Sequence, residues 1–106
     1  MVSPIRVVQT WPEEVDVALS AFGNTARFEV LCFLHDHGPS YFGDILAEVG
    51  SSPASLARTL RYLEQELGII SGDVPLGERK GRAPRYSLDH AKVRDAIDAL
   101  HKRLLS

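Results

Sequence analysis

Apolar positions recur along this chain in short blocks, each closed by glycine or proline. Val15, Ala18, Leu19 and Phe22 return every three or four residues, which predicts a first helix over about 11–22. Thr10-Trp11-Pro12-Glu13 ahead of it has the Thr-x-x-Glu spacing of a capping box, with proline tolerated in the first turn. Gly23 ends this block, Asn24 caps a second helix with Phe28, Leu31, Cys32 and Leu34 as its stripe, and Gly38-Pro39 stops it. Ser40 is expected to open a short third helix bearing Phe42, Ile45, Leu46 and Val49, broken at Gly50. Ser52-Pro53 then restarts the chain as cap and first helical residue of a fourth helix reaching about Leu67, buried along Leu56, Leu60, Leu63 and Leu67.

Beyond Gly68 the period changes. Ile69 to Val74 is short and β-branched, and Arg85-Tyr86-Ser87-Leu88 alternates polar with apolar; between them Pro75 to Pro84 is loop by its glycine and proline content. This is a hairpin with a long tip. Asp89 caps a last helix, over about 90–105, with Val93, Ile97, Leu100 and Leu104 on one face. Ile5-Arg6-Val7-Val8 is a short extended-looking run whose state is left open. The predicted fold is mainly α with a small β-hairpin, about five helices and a two-stranded wing in one domain over 1–106.

Composition narrows the function classes. With 106 residues there is room for one core, and a single cysteine excludes an internal disulfide framework and any multi-thiolate metal cage. No run of twenty apolar residues occurs, so no transmembrane helix is expected. Met1-Val2-Ser3-Pro4 has neither the basic start nor the apolar stretch of a signal peptide, so a small, complete cytoplasmic domain is expected. Net charge is −2, against a generally sticky nucleic-acid coat, but it is unevenly spread. Residues 1–50 carry two basic and seven acidic side chains, whereas residues 51–106 carry ten basic and seven acidic. Arg79, Lys80, Arg82 and Arg85 fall within seven residues that contain no acid.

Helix, short helix, sharp turn, longer helix and basic hairpin is the order of a winged helix-turn-helix. The second helix of such a pair fits the major groove, and a basic hairpin tip reaches an adjacent minor groove or flanking phosphates. On the fourth helix, the face opposite the leucines carries Ala54, Arg58, Arg61 and Gln65, with Ser55 and Tyr62 at its edge. Ser52 and Ser55 suit phosphate or base-edge hydrogen bonds, Arg58 suits a bidentate guanine contact with Thr59 beside it, and Tyr62 suits either DNA or packing against the wing. Glu64 and Glu66 lie at the end of the helix that would point away from the groove. Arg79, Lys80, Arg82 and Arg85 are expected to make counterion-releasing contacts to phosphates.

Asn24-Thr25-Ala26-Arg27-Phe28-Glu29-Val30-Leu31-Cys32-Phe33-Leu34 resembles the helix that opens the core of ArsR-like bacterial repressors. The stretch from Gly43 to Leu60 is similar to that family's helix-turn-helix without a gap, and Gly81-Arg82-Ala83-Pro84-Arg85-Tyr86-Ser87-Leu88 resembles the wing endings of winged-helix regulators. The likeness covers about residues 15–100. Two departures stand out: the segment from Leu63 to Ile70 runs one residue longer than the usual end of the recognition helix, and the wing loop is long.

The resemblance raises the question of metal sensing. The family's cysteine-containing metal motif is absent. Cys32, His35 and His37 read as a core cysteine and helix-end histidines. His90 and His101, eleven apart on one face, resemble half of the family's dimer-interface zinc site, but the partner positions hold Leu88 and Leu104. Two histidines are too few, so no metal and no other cofactor is expected. Nor is there a Gly-x-Ser-x-Gly turn, a phosphate-binding glycine loop or a His-Glu-x-x-His, so no enzyme is expected.

The sequence therefore predicts a sequence-specific regulator that binds double-stranded DNA, a repressor acting by promoter occupancy. Alternatives are a phage or plasmid architectural factor assisting recombination, and a winged-helix module whose acidic N-terminal half binds protein. A homodimer is expected, held by the terminal helices through Val15, Leu19 and Phe22 and through Val93, Ile97, Leu100 and Leu104.

Overall fold

The computed structural model describes residues 11–106; Thr10 and the Ile5–Val8 run lie outside them. Helix α1 (Glu13–Phe22) starts after Pro12, whose carbonyl accepts from Val15 (3.0 Å) and Asp16 (3.3 Å). No side chain caps it, and three acids in its first turn complement the helix dipole instead. Helix α2 (Thr25–His37) is capped by Asn24, whose Oδ1 accepts from the Arg27 N–H at 3.0 Å. After α2 the structure departs from the expectation that Ser40 opens a helix. Ser40–Tyr41 form a short strand, β1, and the buried Ser40 hydroxyl donates to the Gly38 carbonyl (2.9 Å). Helix α3 (Phe42–Glu48) begins only afterwards, with the Tyr41 N–H donating to the Asp44 carboxylate (3.2 Å).

Helix α4 (Pro53–Arg61) is capped by Ser52, whose hydroxyl oxygen accepts from Ser55 N–H at 3.2 Å. It does not continue as α-helix to Leu67. Tyr62–Glu66 is a π-helical turn, in which Leu67 N–H donates to the carbonyl of Tyr62 (3.1 Å), and Ile69 N–H reaches back to Leu63 (3.0 Å). A π turn accommodates one more residue than an α turn. Strands β2 (Ile70–Gly72) and β3 (Arg85–Leu88) are antiparallel, with Ile70 opposite Leu88 and Gly72 opposite Tyr86. The expected two-stranded wing is present as β2 and β3, and β1 pairs with the other edge of β3 to extend it to a three-stranded sheet in the order β1-β3-β2. Asp89 caps α5 (His90–Leu105) by accepting from Lys92 N–H (3.1 Å).

The core joins all five helices to the sheet. Ala18 and Ala21 of α1, Val30 and Leu34 of α2, Ile45 of α3, Leu56, Leu60 and Leu63 of the fourth helix and its π turn, Ile69, Ile70 and Ala96 are closed to solvent. Three stripes are rotated from their expected faces. In α1 the buried side is Val15, Val17, Ala18 and Ala21, and Leu19 is exposed. In α2 it is Val30, Leu31, Phe33 and Leu34, so Phe28 and Cys32 point outward; Cys32 is not a core cysteine. In α5, Val93 and Leu100 pack half-buried against the core, whereas Ile97 and Leu104 are exposed. Helices α1 and α5 pack along one another within the chain, which accounts for part of both terminal stripes. Among the described residues no single helix is long and apolar enough to cross a membrane.

Candidate nucleic-acid interface

The capped start of α4 brings Ser52, Pro53 and Ala54 to the surface in sequence, and the α-helical period carries Arg58 and Arg61 onto the same solvent-facing side. Arg58 is exposed, and its Nη2 donates to Ser55 Oγ at 3.2 Å, a local tether that pre-orients the guanidinium along the helix. Arg61 is exposed, and Thr59 and Ser55 are half-buried at the margin. Tyr62 is half-buried. The Arg27 guanidinium lies 3.9 Å above its ring while Arg27 Nη1 donates to the Ser20 carbonyl (2.9 Å), tying the start of the π turn through α2 to the last turn of α1.

In the wing, Lys80, Arg82 and Arg85 are exposed. The Arg82 N–H donates to the Arg79 carbonyl (3.0 Å), closing a tip turn in which Gly81 adopts φ +74°, left-handed backbone that favours glycine. The Arg82–Glu78 pair is solvent-exposed at 3.9 Å and contributes little. Where the hairpin leaves the sheet, the Arg85 N–H donates to the Asp73 carboxylate (2.7 Å) and Asp73 N–H donates to the Arg85 carbonyl (3.1 Å). The Arg85 guanidinium lies 5.8 Å from the Tyr41 ring.

Arg79 corrects the sequence expectation. It does not stand on the outer surface with the other wing cations but turns inward to Glu64 of the π turn. Nη1 and Nη2 donate to the two carboxylate oxygens at 2.9 and 2.7 Å, and Nε donates to the Val74 carbonyl at 2.8 Å. The second carboxylate oxygen also accepts from Gly72 N–H (2.8 Å). Both side chains are largely buried, 19% and 12% exposed, and a Cβ on Gly72 would collide with the guanidinium and press on Pro84. Hydrogen bonding from Arg79 holds the Glu64 carboxyl below its ordinary value despite burial, and the same bond raises Arg79. Burial raises the neighbouring Tyr86 phenol. Nothing in the sequence pairs two charges fifteen positions apart on different elements, so this contact and the Arg27–Tyr62 stack were beyond periodicity.

Among the described residues no three His, Cys, Asp or Glu side chains converge as a metal cage would require. His35 and His37 are exposed at the end of α2; His37 stacks on Phe33 (4.1 Å between ring centres) and accepts from or donates to no acid. Phe22, Phe28, Leu31, Leu88, Val93 and Ile97, with Cys32, His35 and Asp36 at its margin, line a mostly apolar groove of about 390 Å³, and Ile97 also lines a second with Leu100, Leu104 and Leu105.

No family model matches the chain, and no curated protein sequence matches it. Solved structures do. An ArsR family transcriptional regulator superposes with a TM-score of 0.68 at 18% identity, covering 91% of this chain and 92% of that one. An ArsR-like transcriptional regulator from Rhodococcus sp. RHA1 gives 0.66 at 21% identity over 85% and 78%. HlyU from Vibrio cholerae gives 0.62 at 22% identity over 88% and 94%. The chain shares its winged helix-turn-helix fold with these structures, two of which are ArsR-type regulators.

Proposed function

We propose that this protein is a sequence-specific regulator of transcription that binds double-stranded DNA, and that it represses by occupying a promoter. The observation carrying this reading is the exposed face of α4, where Ala54, Arg58 and Arg61 follow a capped helix start and Pro53–Arg61 itself contains no acid. That is the composition a helix needs to lie between two phosphate backbones and reach base edges. Ser52, Ser55 and Thr59 flank it as hydrogen-bonding groups, and Lys80, Arg82 and Arg85 add phosphate contacts from the wing. Tyr62 and Arg79 act from behind this surface. Repression by occupancy asks for no chemistry, and we assign the protein no enzymatic activity, no metal and a cytoplasmic location.

The functional unit is a homodimer. Leu19 (53% exposed), Ile97 (52%), Leu104 (77%) and Leu105 (76%) leave an apolar face on α1 and α5 after the two helices have packed on each other. One recognition helix reads only a few base pairs; two-fold symmetry couples two half-sites about one helical turn apart. Selection of genomic fragments by the purified protein tests the reading. The expected outcome is enrichment of a short, two-fold symmetric site, bound more weakly as salt rises. Failure to enrich any sequence, together with unchanged DNA affinity in Arg58→Ala, Arg82→Ala and Arg85→Ala, refutes it.

A further inference from the structure

We propose that Glu64 and Arg79 form a clamp that fixes where the wing stands relative to the recognition helix, which makes both of them positioning residues for DNA binding. This rests on the DNA-binding reading above. Three separate pieces of backbone meet in the clamp. Glu64 comes from the π turn at the end of the recognition helix, Gly72 N–H from the end of β2, and Arg79 from the middle of the loop beyond it. The two-point fork between guanidinium and carboxylate sets orientation as well as distance, unlike a single ionic contact. The third bond, from Arg79 Nε to the Val74 carbonyl, closes the loop segment onto its own base. Arg79 is also the first residue of the tip turn, since its carbonyl accepts from Arg82 N–H. The exposed cations Lys80 and Arg82 are therefore carried on a turn whose first residue is bolted to the helix.

The local sequence is shaped around this contact. Gly72 leaves the space that the guanidinium fills, and the Tyr86 ring lies 5.8 Å from it on another side. The pair lines, with Arg61, Gln65 and Phe42, a crevice of about 190 Å³. The π turn matters here because its additional residue changes the direction in which Glu64 leaves the helix. Without the clamp the loop between β2 and β3 is left to its Asp73–Arg85 closure, the buried Val74, the short turn Leu76–Glu78 and the Arg79–Arg82 tip turn, none of which ties the tip to the recognition helix.

Simple electrostatics and the clamp make opposite predictions for Glu64→Gln. Removing an acid beside a basic surface should strengthen DNA binding; loosening the wing should weaken it. The expected result is about tenfold weaker binding to the selected site, with a shallower salt dependence as wing phosphate contacts are lost. Arg79→Lys, which keeps the charge but not the fork, should behave in the same direction. In the Glu64→Gln background, Arg82→Ala should cost under about twofold, against about tenfold in the unmodified protein, because a wandering tip no longer delivers it. Backbone ¹⁵N relaxation of the free protein reads the clamp without DNA: order parameters for 76–83 should fall from the rigid range near 0.85 toward 0.6 in Glu64→Gln, with core amides unchanged. Should that variant not fold, Glu64→Gln with Arg79→Gln, which keeps amide hydrogen bonding, carries the same measurements. Rigid wing amides in these variants, full affinity in Arg79→Lys, tighter binding in Glu64→Gln, or an undiminished Arg82→Ala effect would each overturn the proposal. If the unmodified protein binds no DNA, the functional reading fails and the relaxation measurement alone decides the clamp.

Discussion

Replacing both Ile97 and Leu104 with glutamate should turn the dimer into a folded monomer. The two positions are 52% and 77% exposed on α5 and face away from the core, whereas Leu100 between them packs against it. Glutamate at the half-buried Leu100 would destabilise the domain and confuse the outcome; at 97 and 104 it meets water in the monomer and is a good helix former. Full burial of a leucine or isoleucine contributes roughly 1.5–3 kcal/mol, so side chains already half-covered or less retain roughly 1–2 kcal/mol each to gain at an interface. Symmetry counts each twice, giving about 4–8 kcal/mol lost on substitution before the cost of desolvating four carboxylates, or at least about a thousandfold in dimer dissociation constant. Sedimentation velocity over a concentration series reads this directly, and a melt of each protein establishes that the fold is retained. The double variant should sediment as a monomer at tens of micromolar, melt close to the unmodified chain once the loss of dimer is allowed for, and lose most affinity for a two-fold symmetric site. If the unmodified chain is itself monomeric at tens of micromolar, or the double variant remains dimeric, the exposed face of α5 is not the seam.

Other outcomes follow from single contacts. Arg58→Ala should cost about 1–3 kcal/mol at the preferred site and relax preference at one base position, while Arg82→Ala weakens all sequences alike and lowers the salt slope by about 0.9 per phosphate lost; titrations on selected and scrambled duplexes separate the two. Leu63→Ala, at a fully buried position in the π turn, should cost about 2–5 kcal/mol of stability by denaturant titration. The Glu64 carboxyl titrates below its ordinary 4.5 because Arg79 bonds to the charged form. Its contribution is therefore complete above about pH 4.5 and is lost as pH falls through the lower folded value. Denaturant titrations of the unmodified protein and Glu64→Gln from neutral to acidic pH should show a stability gap that narrows only on the acid side of that point.

Much of the order of elements was legible because it is written in local chemistry. Asn24, Ser52 and Asp89 cap as their residue types predict, each accepting the N–H three residues on. Faces were harder. Helices α1 and α2 carry apolar residues most of the way around, so periodicity alone did not say that Leu19, Phe28 and Cys32 would face water. Strand β1 has two residues and no period; it exists because β3 offers it a free edge, a tertiary fact. The π turn preserves leucines at α-like spacing up to Leu63, and only the overlong segment hinted at it. At the candidate site, exposure of Arg58, Arg61, Lys80, Arg82 and Arg85 matches the sequence expectation. Arg79 differs because a charge run in sequence says nothing of a carboxylate waiting on another element.

Arg79 also partitions the chain between β2 and β3 into two short spans instead of one long one. Closing a flexible span costs conformational entropy that grows only logarithmically, by about 0.6 kcal/mol for each doubling of length. The span before Arg79 is pinned at Val74 and Glu64 and cannot lengthen without pulling the guanidinium from its seat. The span after it, Lys80 to Pro84, is held between its ends by no more than the Arg79–Arg82 turn bond and the exposed Arg82–Glu78 pair. Residues added there would extend the tip at small entropic cost and leave the recognition helix and the sheet undisturbed, so the reach of this wing is a dimension that insertion and deletion can tune independently of the fold.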